Sequence, residues 1–561
     1  MLSVVGIWLY IFLTTFLVGY GLLQILLRYI PYRIRHKNTY LLCGLAAVTV
    51  YAQIFSLFGR VGLMANVLLL AVCAGIAWHS RHALGHMLQE TGSDRKEKRF
   101  LLFALFLLFA YGTSRGILHY DTGLYHAQSI RWIEEYGAVK GLGNLHCRLA
   151  YNSASFALSA LYSMAFWGGQ SFHCAAGWLA FLLAGTCMEI TDALRAGRLR
   201  TSDFARLMGI YYLVNIFDEM ISPASDYFMV LLAFYVVIRW LELLEESVEE
   251  VFPYAMLCVL GVFLMTVKLS AALILLLVLH PAFALVKGRR WKETGLYLTL
   301  GSLTAAPFFI RNVLLSGWLV YPFTQIDLFQ VPWKIPKGLA DYDAREIQVW
   351  GRGYTDVTQY ELPMKEWLPD WFGALAGSDK LFTLAAVAAV GVLILYAAGM
   401  TVGLWRRRWD MLLVQMTVAG SFGFWLCTSP LIRYGCVYVY LMPAVVFGSL
   451  YDRILDGGGQ KGEGRWRGVV RVCGLTVGLV LLCYKSLALG RQITASYENR
   501  YWLVQKEYEN YETASYVIEG ITFYYPVSGD QAGYEAFPSA PVKKELKLLG
   551  EDLADGFAAV L

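Results

Sequence analysis

Long apolar runs separated by short polar segments cover most of this 561-residue chain. A run of about 20 apolar residues is long enough to cross a hydrocarbon core of about 30 Å as an α-helix. The pattern therefore predicts an all-α polytopic membrane protein, a helical bundle of about 12 to 14 spans. The predicted spans are 4–28, 40–58, 61–78, 99–115, 171–190, 204–217, 227–241, 254–267, 269–286, 294–310, 381–404, 411–427, 433–451 and 468–488.

Basic residues give the predicted orientation, because Lys and Arg concentrate in the cytoplasmic loops of membrane proteins. The basic loops are 28–37, 81–99, 195–206, 287–292, 406–408 and 453–471. All of these loops face the cytoplasm if successive spans alternate in direction and the moderately apolar stretch 153–168 does not cross the membrane. That stretch then lies in, or dips into, the outer interface. The segments that then face outward are 116–152, 218–226, 311–380 and 489–561. Because they hold most of the unusual polar residues, we expect any chemistry to take place on the extracytoplasmic side of the membrane.

Composition excludes several classes of protein. The chain is 57% hydrophobic and 16% charged, whereas soluble domains carry about a quarter charged residues. The net charge of +5 comes with basic residues in short loops, which set topology and do not form a nucleic-acid surface. The ten cysteines lie mostly inside apolar runs and are predicted to be small core residues. The first apolar run lacks the basic start and cleavage site of a signal peptide, so we expect it to remain as a span.

The chain is predicted to have three parts. Residues 1–98 supply additional N-terminal spans, and 99–488 form the transmembrane core with outer loops 116–170 and 311–380. Residues 489–561 differ in composition, with turn signals such as Gly529-Asp530. This extracytoplasmic tail is predicted to be a small appendage, as an α/β unit or a lid.

The segment "HYDTGLYHAQSIRWIEEYG", residues 119–137, opens the first outer loop. Its spacing predicts a short amphipathic helix at the membrane interface, entered at Asp121 and ended at Gly137. In one interpretation, Asp121 is a helix N-cap. In the other, it is a partly desolvated general base, or a ligand of a divalent cation together with His126. An ionisable group near the bilayer is costly unless it is used or paired, which favours a functional role.

The stretch "GLGNLHCRLAYNSAS", residues 141–155, follows with a high density of hydrogen-bonding groups. It could form a sugar-binding rim or a solvated loop. With the residues beside Asp121, it supplies predicted substrate contacts from His119, Tyr125, His126, His146, Arg148 and Asn152.

The second outer turn, "FDEMISPASDYF", contains Asp218, Glu219 and Asp226. Three acids between two spans are costly without a partner, although a solvated turn with Asp226 capping the next helix is an alternative. A divalent cation, Mg²⁺ or Mn²⁺, is an option that the sequence neither requires nor excludes. Its candidate ligands are Asp121, His126 and Asp218.

Lys268, Arg311 and Arg433 lie at predicted outer ends of spans. Each alone is explained by topology or by a salt bridge. Together they favour a site for an anionic headgroup, because Arg grips phosphate in a bidentate manner. The loop 324–380 adds many Trp and Tyr residues, which suit either sugar stacking or anchoring at headgroup depth.

The arrangement around "YDTGLYHAQSIRWIEEYGAVKGLGNLHCRL" resembles the GT-C superfamily of polytopic, lipid-dependent glycosyltransferases, which includes protein mannosyltransferases and aminoarabinose transferases. Within it, the segment looks most like a group of bacterial GT-C-like membrane proteins. The resemblance covers roughly residues 100–450. It implies a GT-C-like bundle, Asp121 as catalytic base, and Asp226 or Glu219 facing it as metal ligand or orienting group. The usual pattern often has two adjacent acids, but here the neighbours of Asp121 are Tyr120 and Thr122.

The favoured function is therefore an inverting glycosyltransferase that uses a polyprenyl-phosphate sugar donor and a glycan, lipid or protein acceptor. The alternatives are a flippase for lipid-linked glycans and a polysaccharide polymerase or ligase. A flippase needs polar residues near mid-span and interrupted helices, whereas the charges here gather at span ends. A polymerase or ligase would use outer-loop arginines without an obligatory carboxylate.

Overall fold

The computed structural model describes residues 1–90, 96–401, 408–456 and 464–560. Arg95, Arg406, Arg407 and part of the basic stretch 453–471 lie outside the described residues. The helices are α1 (Leu2–Tyr29), α2 (Asn38–Ser56), α3 (Leu63–His79), α4 (Arg81–Glu90), α5 (Lys96–Ser114), α6 (Ala127–Glu135), α7 (Leu142–Leu145), α8 (Ala154–Tyr162), α9 (Ala175–Cys187), α10 (Ile190–Arg195), α11 (Thr201–Asn215), α12 (Ser225–Glu245), α13 (Val251–Val267), α14 (Leu279–Lys287), α15 (Trp291–Ser316), α16 (Lys337–Gly351), α17 (Met364–Ala374), α18 (Gly377–Thr401), α19 (Trp409–Thr428), α20 (Ile432–Asp456) and α21 (Gly464–Ala495). The strands are β1 (Thr513–Ile518), β2 (Ile521–Pro526), β3 (Leu546–Leu548) and β4 (Phe557–Ala559).

The described chain has ten helices that are long and apolar enough to cross a membrane, or eleven if the bent pair α3–α4 is one span. The all-α polytopic architecture predicted from the sequence is confirmed. The described helices that meet these two criteria are fewer than the 12 to 14 predicted spans. Predicted spans 99–115, 204–217 and 254–267 correspond to α5, α11 and α13. Of these three helices, α13 is a shorter apolar helix of 17 residues. One further segment, Leu269–Val278, is a 3₁₀ helix that continues directly into α14.

The first two helices cross in close contact. A Cβ atom on Gly44 would lie 1.7 Å from the carbonyl oxygen of Thr15, and one on Gly19 would lie 1.9 Å from that of Tyr40. Small residues at such crossings let helix backbones approach closely. The same hydrophobic core extends from Val4 to Val446. Helices α1 to α3 therefore share the core of the following helices, and the described residues give 1–98 no core of its own.

The stretch 153–168 contains α8, which has nine residues. At about 1.5 Å per residue it is too short to cross a bilayer. All nine residues are buried, and the helix contacts α2, α6, α12 and α13. The apolar residues of α8 therefore pack against other helices and not against lipid, and the position of this stretch at the outer interface stays a prediction.

Two ends of the bundle carry different polar groups. At one end, Arg35 pairs with Glu246 at 2.8 Å, and Arg206 pairs with Asp203 at 2.6 Å and with Glu242 of α12. These contacts bring together the basic segments 28–37 and 195–206 and the acidic end of α12. The opposite end contains the C-termini of α5 and α13 and the N-termini of α12 and α20, and it carries most of the predicted site residues.

The tail consists of two small antiparallel sheets, β1–β2 and β3–β4. Described residues 496–560 contain no α-helix, so the expected α/β unit is wrong. The physical reason is local: "ITFYYP" combines β-branched and aromatic residues, which favour strands. Gly and Pro residues in the remaining segments favour turns.

Candidate functional site

The chain enters the first loop through a tight contact with the turn before α12. Gly116 has φ +113°, and a Cβ atom there would lie 2.1 Å from the carbonyl oxygen of Asp218. The Ile117 N–H donates to that same oxygen at 2.8 Å. Only glycine combines this backbone conformation with so close an approach. The two predicted polar segments, 116–152 and 218–226, are thus held together at their starts.

Asp121 directly precedes a π-helical turn, Thr122–His126, which continues into α6. Its side chain makes no capping hydrogen bond, so the N-cap interpretation is wrong. Its carboxylate Oδ2 instead accepts from Arg433 Nη2 at 2.8 Å, with 15% of the Asp121 side chain exposed. A charged pair of this kind, only partly reached by solvent, is stronger than a surface ion pair.

His119 contacts the same guanidinium through its ring nitrogen Nε2. Burial, and next the positive charge of Arg433, lower the pKa of His119 below its ordinary value. Burial also holds the pKa of His126 well below its ordinary value. His126 is packed against Tyr125 and Phe156, with ring centroids 4.3 Å and 5.4 Å away. Both imidazoles are therefore neutral at pH 7, and His126 has an environment typical of a packed aromatic residue.

A second ion pair adjoins the first. Asp226, in the first turn of α12, pairs with Lys268 at the end of α13. The Lys268 ammonium lies 3.9 Å from the ring centre of Tyr434, whose hydroxyl accepts from Arg433 at 3.3 Å. Tyr434 therefore connects the two ion pairs, each of which joins residues from distant parts of the sequence.

Glu219 completes this group of polar residues. It accepts a hydrogen bond from the hydroxyl of Tyr227, whose ring packs edge-on to His119 at 6.4 Å between centroids. We refer to the whole group as the Asp121 cluster, which comprises His119, Asp121, Glu219, Asp226, Tyr227, Lys268, Arg433 and Tyr434. With His119 neutral, its three carboxylates exceed its two cations by one negative charge.

Asp218 lies apart from the Asp121 cluster and pairs with Arg115 at 2.7 Å. Arg115 was not identified from the sequence, because an arginine that directly follows an apolar run is typical of the end of any span. Among the described residues, no group of three or more His, Cys, Asp or Glu side chains could hold a metal ion. The candidate ligands Asp121, His126 and Asp218 are therefore not brought together as a three-ligand site.

Arg148 and Tyr151 join the first loop to α16. Arg148 pairs with Asp343 at 3.0 Å and with Glu346 at 2.5 Å, and the Tyr151 hydroxyl donates to Asp343. The aromatic loop 324–380 is therefore anchored on the first loop through these two residues. His146 is buried beside them, and burial lowers its pKa to about 3, so its ring is neutral.

Asn152 and Arg311 form a third group, separate from the Asp121 cluster. Arg311 Nε donates to Asn152 Oδ1 at 3.0 Å, and its Nη1 contacts Ser56 Oγ. Phe156, which packs on His126 and on Tyr125 with ring centroids 5.4 Å and 6.4 Å away, lines the same cavity as Arg311. Of the three predicted cations, Lys268 and Arg433 thus neutralise carboxylates, whereas Arg311 is bonded to neutral groups.

The tail packs on the first loop. A lid was one of the two forms that the sequence left open for this segment. The N–H groups of Ala532 and Gly533 donate to the carbonyl of Gly123 at 3.1 Å and 2.9 Å. The Gln128 amide donates to the carbonyl of Gly533 at 2.9 Å. Trp132, predicted to lie at the membrane interface, is fully buried with Phe537 and Phe557 packed on its ring. The tail therefore supplies the apolar surface that covers this helix, and its position at the membrane interface stays a prediction.

A buried carboxyl group joins α6 to the tail. Glu134 accepts from Ser171 at 2.9 Å and from the Tyr534 hydroxyl at 2.5 Å. Burial raises its pKa from 4.5 to about 7. In this pH range the folded protein holds a proton that the unfolded chain has released. The stabilisation from the neutral carboxyl is complete below about pH 4.5 and is lost as the pH rises to about 7.

We therefore expect Glu134→Gln to raise the melting temperature at pH 8 and to change it little at pH 5. The amide keeps the shape and hydrogen-bonding capacity of the neutral acid but has no proton to lose. Thermal unfolding of purified protein in detergent, measured between pH 5 and pH 8, checks this. The matched control is the exposed neighbour Glu135, whose replacement by glutamine should leave the pH profile unchanged. Parallel profiles for wild type and Glu134→Gln would contradict the assignment.

The fold defines this chain as a multi-pass helical membrane protein with a paired-charge cluster at one end of its bundle. The chain belongs to a domain family of unknown function, DUF8201, whose sequence profile matches residues 1–440. That match includes the Asp121 cluster and ends inside α20, so the tail lies beyond it. No curated protein and no solved structure matches the chain.

Proposed function

We propose that the protein is a membrane glycosyltransferase that moves a sugar from a polyprenyl-phosphate donor to an acceptor. The acceptor is a hydroxyl or amine of a glycan, lipid or protein, and the reaction takes place on the extracytoplasmic side of a bacterial cytoplasmic membrane. The observation that carries the proposal is the Asp121–Arg433 ion pair, which adjoins the Asp226–Lys268 pair through Tyr434. A carboxylate and cations within one cluster are the groups that such a transfer needs.

The proposed mechanism gives each residue of the first pair one role. The donor phosphate replaces Asp121 as the partner of Arg433, because a guanidinium binds phosphate with two parallel hydrogen bonds. Asp121 is then free to accept the proton of the acceptor hydroxyl. The acceptor oxygen attacks the anomeric carbon while the bond from that carbon to the phosphate oxygen breaks. The electron pair leaves with the polyprenyl phosphate, and a single displacement inverts the anomeric configuration.

The second pair has a supporting role in this proposal. Lys268 lies beside Tyr434 and Arg433, where its charge stabilises the departing phosphate. Asp226 is the acid nearest to this ammonium and keeps it in place when no donor is bound. A neutral His119 accepts from Arg433 without adding a competing charge.

The first test is release of polyprenyl phosphate from a panel of polyprenyl-phosphate sugars by the purified full-length protein in lipid nanodiscs. We expect turnover with at least one donor when solubilised envelope material supplies the acceptor. Arg433→Gln should raise the KM for the donor by about 10- to 100-fold, since hydrogen bonds to charged groups contribute about 1.5–3 kcal/mol.

The matched control is Arg500→Gln, because Arg500 is a surface arginine that pairs with Glu498. It should keep the wild-type KM. No release from any donor, or an unchanged KM in Arg433→Gln, would contradict the proposed reaction or the proposed phosphate contact, respectively.

A further inference from the structure

A small cavity lies behind the first loop, between α6, α7, α8 and α15. Its polar lining consists of Ser129, Trp132, Tyr151, Asn152 and Arg311, and the other lining residues are apolar or glycine. None of the residues that line this cavity belongs to the Asp121 cluster. The cavity is therefore a second polar space in the bundle, distinct from the proposed reaction site.

Arg311 contributes a positive charge to this cavity and is only 2% exposed. Its hydrogen-bond partners are the amide oxygen of Asn152 and the hydroxyl of Ser56, which are both neutral. Within the described part of the chain, Arg311 forms no ion pair with a carboxylate. A buried charge without a counter-charge is costly, and an arginine inside an apolar helix usually marks a functional site.

The cavity also has hydrogen-bond donors without acceptors. The Ser129 hydroxyl and the Trp132 indole N–H are buried and have no hydrogen-bond partner in the described structure. Buried donors are normally satisfied. The Asn152 amide is already used, since it donates to the carbonyl of Phe308 at 2.9 Å. The cavity thus combines one cation and two unused donors with no acidic side chain in its lining.

We propose that this cavity binds an oxyanion, the phosphate or carboxylate of a ligand, through Arg311, Ser129 and Trp132. An oxyanion supplies both the missing negative charge and several acceptor lone pairs, which a neutral ligand or water cannot do together. Two sources have this chemistry: a lipid-linked phosphate and an acidic sugar. The inference concerns binding alone and does not depend on the proposed transfer reaction.

The test uses the full-length protein in nanodiscs with four probes: inorganic phosphate, decyl phosphate, glucuronate and uncharged glucose. We expect a saturable rise in melting temperature of about 2 °C or more with at least one anionic probe and none with glucose. A response to decyl phosphate alone identifies a lipid phosphate as the source, and a response to glucuronate identifies an acidic sugar. The absence of a response to all three anions would overturn the proposal.

Two variants test whether Arg311 and Trp132 bind the anion. Arg311→Gln should abolish the response, and without probe it should unfold at or above the wild-type temperature, because the charge it removes has no partner. Trp132→Phe keeps an aromatic ring against Phe537 but removes the donor, so it should weaken probe affinity several-fold. All probe measurements are repeated in an Arg433→Gln background, which removes the proposed phosphate contact of the Asp121 cluster, and the response of this cavity should persist there while Arg311 and Trp132 are intact. A response that survives in both Arg311→Gln and Trp132→Phe would overturn the assignment.

Discussion

Replacing Asp121 with asparagine is expected to reduce sugar transfer by about 10²- to 10⁴-fold, the usual contribution of a general base. The amide has the same shape, and its oxygen can still accept from Arg433 Nη2, which lies 2.8 Å from the native carboxylate. It cannot take the proton of the acceptor. The loss should therefore fall on kcat, with the KM for the donor little changed. Single-turnover measurements with saturating donor separate the two quantities.

The matched control for this variant is Asp327→Asn. Asp327 is an exposed acid that is also paired with a cation, Lys334, and its replacement should leave kcat unchanged. Full transferase activity in Asp121→Asn would refute the base assignment. Loss of function only on replacing Arg311 or Arg433 would favour a polymerase or ligase, and movement of a lipid-linked glycan without any bond change would favour a flippase.

The sequence identified six of the eight members of the Asp121 cluster, but neither Tyr227 and Tyr434 nor the pairing of the charged groups. Asp121, Asp226, Lys268 and Arg433 were all predicted as site residues from their positions at the ends of apolar runs. Arg433 is 312 positions from Asp121, and Lys268 is 42 positions from Asp226. Local pattern carries no information about such distant partners. A salt bridge for each cation and a joint phosphate site were both left open, and two of the three cations form salt bridges in the structure.

Local pattern also could not tell lipid from protein as the apolar surroundings of a helix. The amphipathic spacing of 119–137 predicts a helix at the membrane interface, and the apolar stretch 153–168 predicts a second helix there. In the structure the tail covers α6, through Phe537 and Phe557 on Trp132, and neighbouring helices cover α8. Burial against lipid and burial against protein both select apolar side chains, so composition alone predicts only that such a face is kept from water.

The ion pair between Arg115 and Asp218 joins three parts of the chain that are distant in sequence. Arg115 is 1% exposed, and its guanidinium donates to Asp218 at 2.7 Å and to the carbonyl of Ser496 at 2.5 Å. It also stacks over the ring of Tyr111 at 4.9 Å. One side chain thus holds the end of α5, the turn before α12 and the start of the tail.

Arg115→Met is expected to destabilise the protein by about 3–5 kcal/mol, because removing one partner leaves the other charge buried and uncompensated. Methionine approximates the apolar stem, so the loss reports the charge and not a cavity. Arg115→Met/Asp218→Asn should recover a large part of this stability, since the uncompensated carboxylate is gone. Thermal unfolding in detergent measures both, and limited proteolysis should show earlier cleavage near Ser496 in the single variant. Equal destabilisation in the single and double variants would mean that the contact with the Ser496 carbonyl, and not the ion pair, stabilises this junction.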